Sequence, residues 1–212
     1  MAYRQQKQIH TLVKDPKLVE TRRQQIIDAA VGLFIRKGFH GTTTREIARE
    51  AKFSIGTLYE YVASKEDILY LVCDHIHAEM EMAIRRAIRD SDTGLETLRQ
   101  AIRAYIEVCD RMQDNILLIY QVTKALPPDS QRYVLKNDER ITTIFADLIR
   151  KGQTDGSLRL DDPKYIQLMA HDIIVLGHMW TFRRWFLRKH FTMEEYIQTQ
   201  STLILDRVRA IY

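Results

Sequence analysis

The chain has 212 residues, of which 45% are apolar and 28% charged, and carries a formal net charge of +4. This is enough apolar material for a large core, yet no run approaches the roughly 18 uninterrupted apolar residues of a membrane span. The polar opening MAYRQQKQIH lacks the apolar stretch of a secretion signal, so a cytoplasmic protein that does not enter a membrane is expected.

The charge is unevenly placed. Residues 1–70 hold 12 Lys and Arg against 8 Asp and Glu, whereas residues 71–212 hold 20 of each. A polyanionic partner is therefore expected at the front end, because neutralising phosphates releases condensed counterions. Cys73 and Cys109 are far apart and both lie in apolar helical contexts, which favours buried thiols over a disulfide.

In chain order, residues 1–14 read as a flexible basic arm. A first helix starts either at Asp15-Pro16, with Asp as cap and Pro in the first turn, or at Thr21 with Gln24. Ile26, Ile27, Ala30, Leu33 and Phe34 then recur at helical spacing until Gly38 ends the segment. Thr43 with Glu46 forms a capping box that opens a helix carrying Ile47, Ala48 and Ala51 inward. Ser54 opens a second short helix from Ile55 to Tyr61, which buries mainly Leu58 and Val62 and leaves Ile55, Gly56, Thr57, Tyr59 and Tyr61 outward. Ser64 with Asp67 opens a third, long helix from residue 65 to about 90, with Ile68, Leu69, Val72, Ile76, Met80 and Ile84 along one face.

Beyond it, polar punctuation predicts helices near 93–110, 113–125, 129–153, 163–189 and 193–210, the last opened by a second capping box at Thr192 and Glu195. No period-2 strand pattern is found. The expected fold is all-α with about nine helices: a helix-turn-helix domain over 15–72 and a helical domain over 73–212.

Two short helices, a tight turn and a long following helix are the parts of a DNA-reading head. Gly38-Phe39, Thr42-Thr43, Ile47-Ala48, Ser54, Gly56-Thr57-Leu58-Tyr59, Tyr61 and Ser64-Lys65-Glu66 followed by Leu69 stand at the spacing of one known domain. Over residues 20–72 the chain resembles the amino-terminal DNA-binding domain of the TetR family of bacterial transcription regulators. It departs from that pattern at Lys52, where the family usually has Gly in the turn, and at Phe53, which replaces a smaller apolar residue. If the turn needs a positive φ, Lys52 costs on the order of 1 kcal/mol relative to Gly.

A helix with small or slender residues at its start can enter the major groove, where each base pair shows its own donor and acceptor pattern. Ser54, Ile55, Gly56 and Thr57 occupy that start. Thr57 suits a base edge or a phosphate, Ile55 a thymine methyl, and Gly56 a close backbone approach. Thr43, Thr44, Tyr59, Tyr61 and Lys65 suit phosphate oxygens, and Arg45 a guanine edge or a phosphate. The alternative for the tyrosines is cover for a small core, and for Lys65 a solvated charge.

One such helix reads too few bases, so a homodimer on a palindromic double-stranded DNA operator is expected, with half-sites about 34 Å or a multiple of it apart. The predicted 163–189 helix offers Ile166, Ala170, Ile173, Gly177, Trp180 and Thr181 at helical spacing as the seam. The resemblance also implies that the final helices pair, and that the back half binds a small-molecule effector which favours the state unable to hold DNA.

Trp180, Arg183 and Arg184 form a group that can stack an adenine and pair phosphates, as an acyl-CoA or a similar ligand with an apolar tail requires. Tyr120, in an apolar stretch, is a further candidate lining residue. The competing reading of this group is aromatic packing at the seam. No catalytic motif is found, and neither a cofactor nor a metal is expected. His171 and His178 stand about 10.5 Å apart along a helix axis, and His75 with Glu79 lacks a third ligand. The reading is thus a ligand-responsive repressor, with an effector-independent DNA-binding protein of the same fold as the alternative.

Overall fold

A capping side chain marks most of the helix starts in the computed structural model, which describes residues 9–89, 92–160, 162–206 and 208. Among these residues the chain forms ten α-helices. They are α1 (Pro16–Gly41), α2 (Thr44–Glu50), α3 (Ile55–Tyr61), α4 (Lys65–Ala87), α5 (Gly94–Arg111), α6 (Gln113–Val122), α7 (Pro128–Thr154), α8 (Pro163–Phe182), α9 (Arg184–His190) and α10 (Met193–Leu205). A 3-10 turn over Thr123–Ala125 follows α6. The architecture is all-α. None of these helices is long and apolar enough to cross a membrane.

Asp15 caps α1, its carboxylate accepting from the amides of Lys17 and Leu18 with Pro16 in the first turn, so the first of the two possible starts is the real one. Both capping boxes form, Thr43 with Glu46 and Thr192 with Glu195. The predicted helix over 163–189 is instead two. Arg183 leaves the helical region at φ −103°, ψ 14°, ending α8 and starting α9, which brings the count to ten.

The chain packs as two compact units, Met1–Ile76 with Leu118–Asn137, and His77–Leu117 with Asp138–Tyr212. In the first, Ile26, Ala30, Phe34, Ile47, Leu58, Val62 and Leu69 are buried. The expected division at residue 72 takes no account of residues 118–137. They join the first unit because the carboxylate of Asp74 on α4 accepts hydrogen bonds from Tyr133 Oη (3.1 Å) and Asn137 Nδ2 (3.3 Å) on α7. The Tyr133 ring also packs on Tyr70 at a tilt of 44°, 4.9 Å between centroids.

In the second unit α5 packs on α8 and α10. Gly177 of α8 fits against α5 so closely that a Cβ there would lie 2.5 Å from Tyr105 Cε1 and 2.7 Å from Cys109 Sγ. The residues expected to form a dimer seam, Ile166, Ala170, Ile173, Gly177, Trp180 and Thr181, are therefore buried inside the chain's own core. What α8 leaves uncovered is a different stripe: Tyr165, Leu168, Val175 and Phe182 are 59, 58, 59 and 38% exposed. Residues spaced by 3, 7 and 7 share one helix face.

Candidate nucleic-acid interface

The reading face is built on α2, α3 and the turn between them. At the end of α2 the amide of Phe53 donates to the Ala48 carbonyl (2.8 Å) and that of Lys52 to the Arg49 carbonyl (3.1 Å), the paired bonds of a Schellman stop. Such a stop needs one residue in the left-handed region, and Lys52 is there at φ 61°. The Phe53 ring that follows lies 6.4 Å from Tyr61 and under the Arg22 guanidinium at 5.3 Å.

Ser54 then caps α3, its hydroxyl accepting from the Thr57 amide (3.0 Å) and lying 2.9 Å from the Thr57 hydroxyl. Thr44 Oγ1 and Tyr59 Oη lie 3.2 Å apart, tying the start of α2 to the middle of α3. Thr43, Arg45, Ser54, Ile55, Gly56 and Tyr59 are exposed, and Thr44 and Thr57 half-buried. Together they offer hydroxyls, a guanidinium and one apolar side chain, joined between the two helices at Thr44 and Tyr59. The Thr43 cap is electrostatically secured by Glu46: hydrogen bonds from Lys37 and from the Thr43 amide and hydroxyl hold its carboxyl at about 2.

Two expected contacts turn inward. Tyr61 is only 4% exposed, against 45% for Tyr59. It stands three residues after Leu58, and on a helix that spacing returns to the same face. Its carbonyl accepts from Arg23 Nε (3.1 Å) and Nη2 (3.0 Å), and Arg23 also reaches the Ile9 carbonyl (2.8 Å). The half-buried Lys65 gives two of its three donors to the carbonyls of Phe39 (2.9 Å) and Thr42 (3.0 Å), and its ammonium sits 4.3 Å from the Phe39 ring centroid. It closes the end of α1, where Gly38 at φ 73° breaks the helix and exposes those carbonyls.

The arm expected over 1–14 is partly anchored. Thr11 Oγ1 (2.8 Å) and the Leu12 amide (2.9 Å) both donate to the Glu60 carbonyl at the end of α3, and Ile9 is buried. Residues 1–8 lie outside the described residues.

The residues expected to hold an effector are spread over both units. Tyr120 is exposed on α6 in the first. In the second, Trp180 is 2% exposed, donates its Nε1–H to Asp110 Oδ1 (2.8 Å) and stacks on Tyr196 at 4.8 Å, so its ring is committed to the core. Arg188 also pairs with Asp110. Burial pushes the Asp110 carboxyl up, but these two hydrogen bonds hold it below the ordinary range. Trp180 and Arg184 do not form one ligand-facing row, because the helix breaks at Arg183 between them. The exposed Arg183 guanidinium lies instead over the Trp185 ring, 5.1 Å from its centroid.

Comparison with known proteins agrees with this geometry. Residues 26–70 match the family model described as bacterial regulatory proteins, tetR family, and residues 91–205 match the tetracyclin repressor-like C-terminal domain. The transcriptional regulator HbdR of Aromatoleum sp. (strain CIB) is 34% identical over 93% of this chain and 85% of its own length. The chain belongs to the TetR family.

It is a helix-turn-helix transcription regulator and not an enzyme. The transcriptional repressor KstR2 of Mycolicibacterium smegmatis is 24% identical over 69% of this chain and 72% of its own length. A crystal structure of AibR in complex with isovaleryl coenzyme A and operator DNA superimposes with a TM-score of 0.71 at 18% identity, covering 87% of this chain and 98% of that one, a likeness of fold. Against the TetR pattern, Lys52 stands at the positive-φ position where glycine is usual.

Sequence reasoning missed the exposed α8 stripe and held the inward turn of Tyr61 only as the alternative. The signal for Tyr61 was present in its spacing from Leu58. The stripe's spacing of 3, 7 and 7 was present too, but α8 carries apolar residues on more than one side, so periodicity alone does not say which of them stays uncovered.

Proposed function

We propose that this TetR-family protein is a cytoplasmic, homodimeric repressor that holds a palindromic operator through α3 and is released by an acyl-CoA. The observation that carries the DNA-reading part is the set of Thr43, Thr44, Arg45, Ser54, Ile55, Gly56, Thr57 and Tyr59, presented by two capped helices locked at Thr44–Tyr59. Thr57, Ile55 and Gly56 meet base edges in the major groove. Thr43, Thr44, Ser54 and Tyr59 meet phosphates, and Arg45 meets either. Lys65 acts by fixing the end of α1 against α4.

Dimerisation is supported by the uncovered apolar stripe of Tyr165, Leu168, Val175 and Phe182 on α8, with Leu203 exposed on α10. Exposed apolar residues aligned along one helix mark an association surface, and a two-fold pair covers the same stripe on both copies. Repression and the acyl-CoA effector are supported by the KstR2 repressor and by the AibR complex with a coenzyme A thioester. An effector can release DNA only by binding the released state better than the DNA-bound one.

The test is fluorescence anisotropy of a labelled upstream fragment, titrated with protein and then with acyl-CoAs of graded chain length. Release by one class of thioester supports the reading. Tight binding that no thioester reverses favours the effector-independent DNA binder.

A further inference from the structure

We propose that a cleft between the end of α4 and the outer face of α5 holds the phosphorylated nucleotide end of the effector, an adenosine bearing several phosphates. This rests on the acyl-CoA reading above for the identity of the effector, but not for the chemistry of the cleft. The cleft has a volume of about 350 Å³ and is lined by four arginines, Arg86, Arg89, Arg99 and Arg103, against two carboxylates, Glu96 and Glu107. All lie within the second compact unit.

The four guanidinia are not equally engaged. Arg103 donates through Nη1 (2.5 Å) and Nη2 (2.6 Å) to the two oxygens of Glu194 and lies 3.6 Å from Glu107; Arg99 lies 3.6 Å from Glu96. Arg86 and Arg89 are exposed and make no ion pair among the described residues. Counting Glu194, four guanidinia face three carboxylates among the described residues, an excess of one positive charge in one concave place. Each guanidinium offers a planar fork of donors that matches phosphate oxygens. Arg103 already grips an oxyanion in this manner through Glu194.

Size admits the occupant. Ligand pockets run from about 300 to 1,000 Å³, so this open cleft has room for a nucleotide headgroup, with the rest of a longer ligand free to extend beyond it. A single phosphate in an open cleft would gain little after screening, whereas several phosphates on one ligand pair several arginines at once. Flat guanidinia also stack on a purine, and Ala87 and Ala104 leave room beside them. Arg86 belongs to α4, the helix that begins at Lys65 beside the reading face, so a ligand held here acts on an element common to both units.

Calorimetric titration of the full-length protein with adenosine 3′,5′-bisphosphate tests the cleft directly, with inorganic phosphate, dephospho-CoA and CoA as further arms. The bisphosphate is expected to bind, more tightly than phosphate, and to weaken about tenfold or more in R86A/R89A. Both arginines are exposed, so unchanged circular dichroism is expected for this variant. E96Q, which removes a competing carboxylate, is expected to tighten binding severalfold, a gain that a merely structural role would not give. CoA binding tighter than that of dephospho-CoA supports a site that counts the 3′-phosphate.

Absence of bisphosphate binding, or binding that neither variant changes, overturns the proposal. If an acyl-CoA releases operator equally from wild type and R86A/R89A, the cleft assignment falls and the effector reading stands. If the bisphosphate binds as expected while no thioester releases DNA, the cleft stands and the effector reading falls.

Discussion

Replacing Lys65 by Met removes a charge whose work is internal and keeps the aliphatic stem. The ammonium donates at 2.9 and 3.0 Å to two carbonyls left open by the break at Gly38, and faces the Phe39 ring at 4.3 Å. A hydrogen bond from a charged donor contributes about 1.5–3 kcal/mol, and an exposed cation–π contact about 0.5–1. Lys65 is half-buried, and water can reach the carbonyls once it is gone, so the net loss is nearer to about 1–2 kcal/mol. For a chain of this length that is about 3–6 °C in Tm. The assay is calorimetric unfolding beside operator binding from 50 to 300 mM salt. The reasoning is refuted if Tm is unchanged while the slope of log affinity against log salt falls by about 0.9, the signature of one lost phosphate contact.

Four further outcomes follow from the same structure. Thr57→Val should alter the ranking of operator variants in a binding-site selection, whereas Thr43→Val, at a phosphate-facing cap, should weaken all of them alike; identical rankings for both would remove the division of roles. L168E/V175E should yield a folded monomer in analytical ultracentrifugation, since both side chains are exposed in the single chain, and a persistent dimer would place the interface elsewhere. Burial in the core depresses the His178 pKa below 6.5, against the pull of Asp138 and with a push from His77. The unfolded chain then takes up a proton that the folded one refuses, so stability should fall as pH drops below about 6.5 until the folded pKa is reached; H178Q should flatten that fall, and parallel curves would count against it. Lys52→Gly should raise stability by a few tenths to about 1 kcal/mol in denaturant titration by relieving a positive φ, less the extra entropy of glycine in the unfolded chain, and a loss would contradict the strain.

Much of the reading head was legible because its start signals are local. The Thr43–Glu46 box and the Ser54 cap, like the Thr192–Glu195 box that opens α10 in the second unit, each depend on residues three apart, which the chain carries openly. Lys52 at positive φ could be anticipated from where glycine stands in the resembling family. Less legible were features set by long-range packing. Lys65 reads as a surface charge until the break at Gly38 brings two carbonyls to it across more than twenty residues. Trp180 reads as a ligand platform until Asp110 and Tyr196, on other helices, enclose it. The arginine cleft draws on the end of α4, on Arg89 beyond it and on α5, and no spacing within either helix announces it.

Hydroxyl-radical footprinting of the purified protein on its own upstream region tests the central claim most directly. The expected result is an inverted pair of protected tracts with centres one helical turn, about 34 Å, or a whole multiple of it apart, lost on introducing L168E/V175E and redistributed by Thr57→Val. Uniform protection without an inverted repeat at every salt concentration, or none at all, would contradict a paired molecule reading DNA through α3.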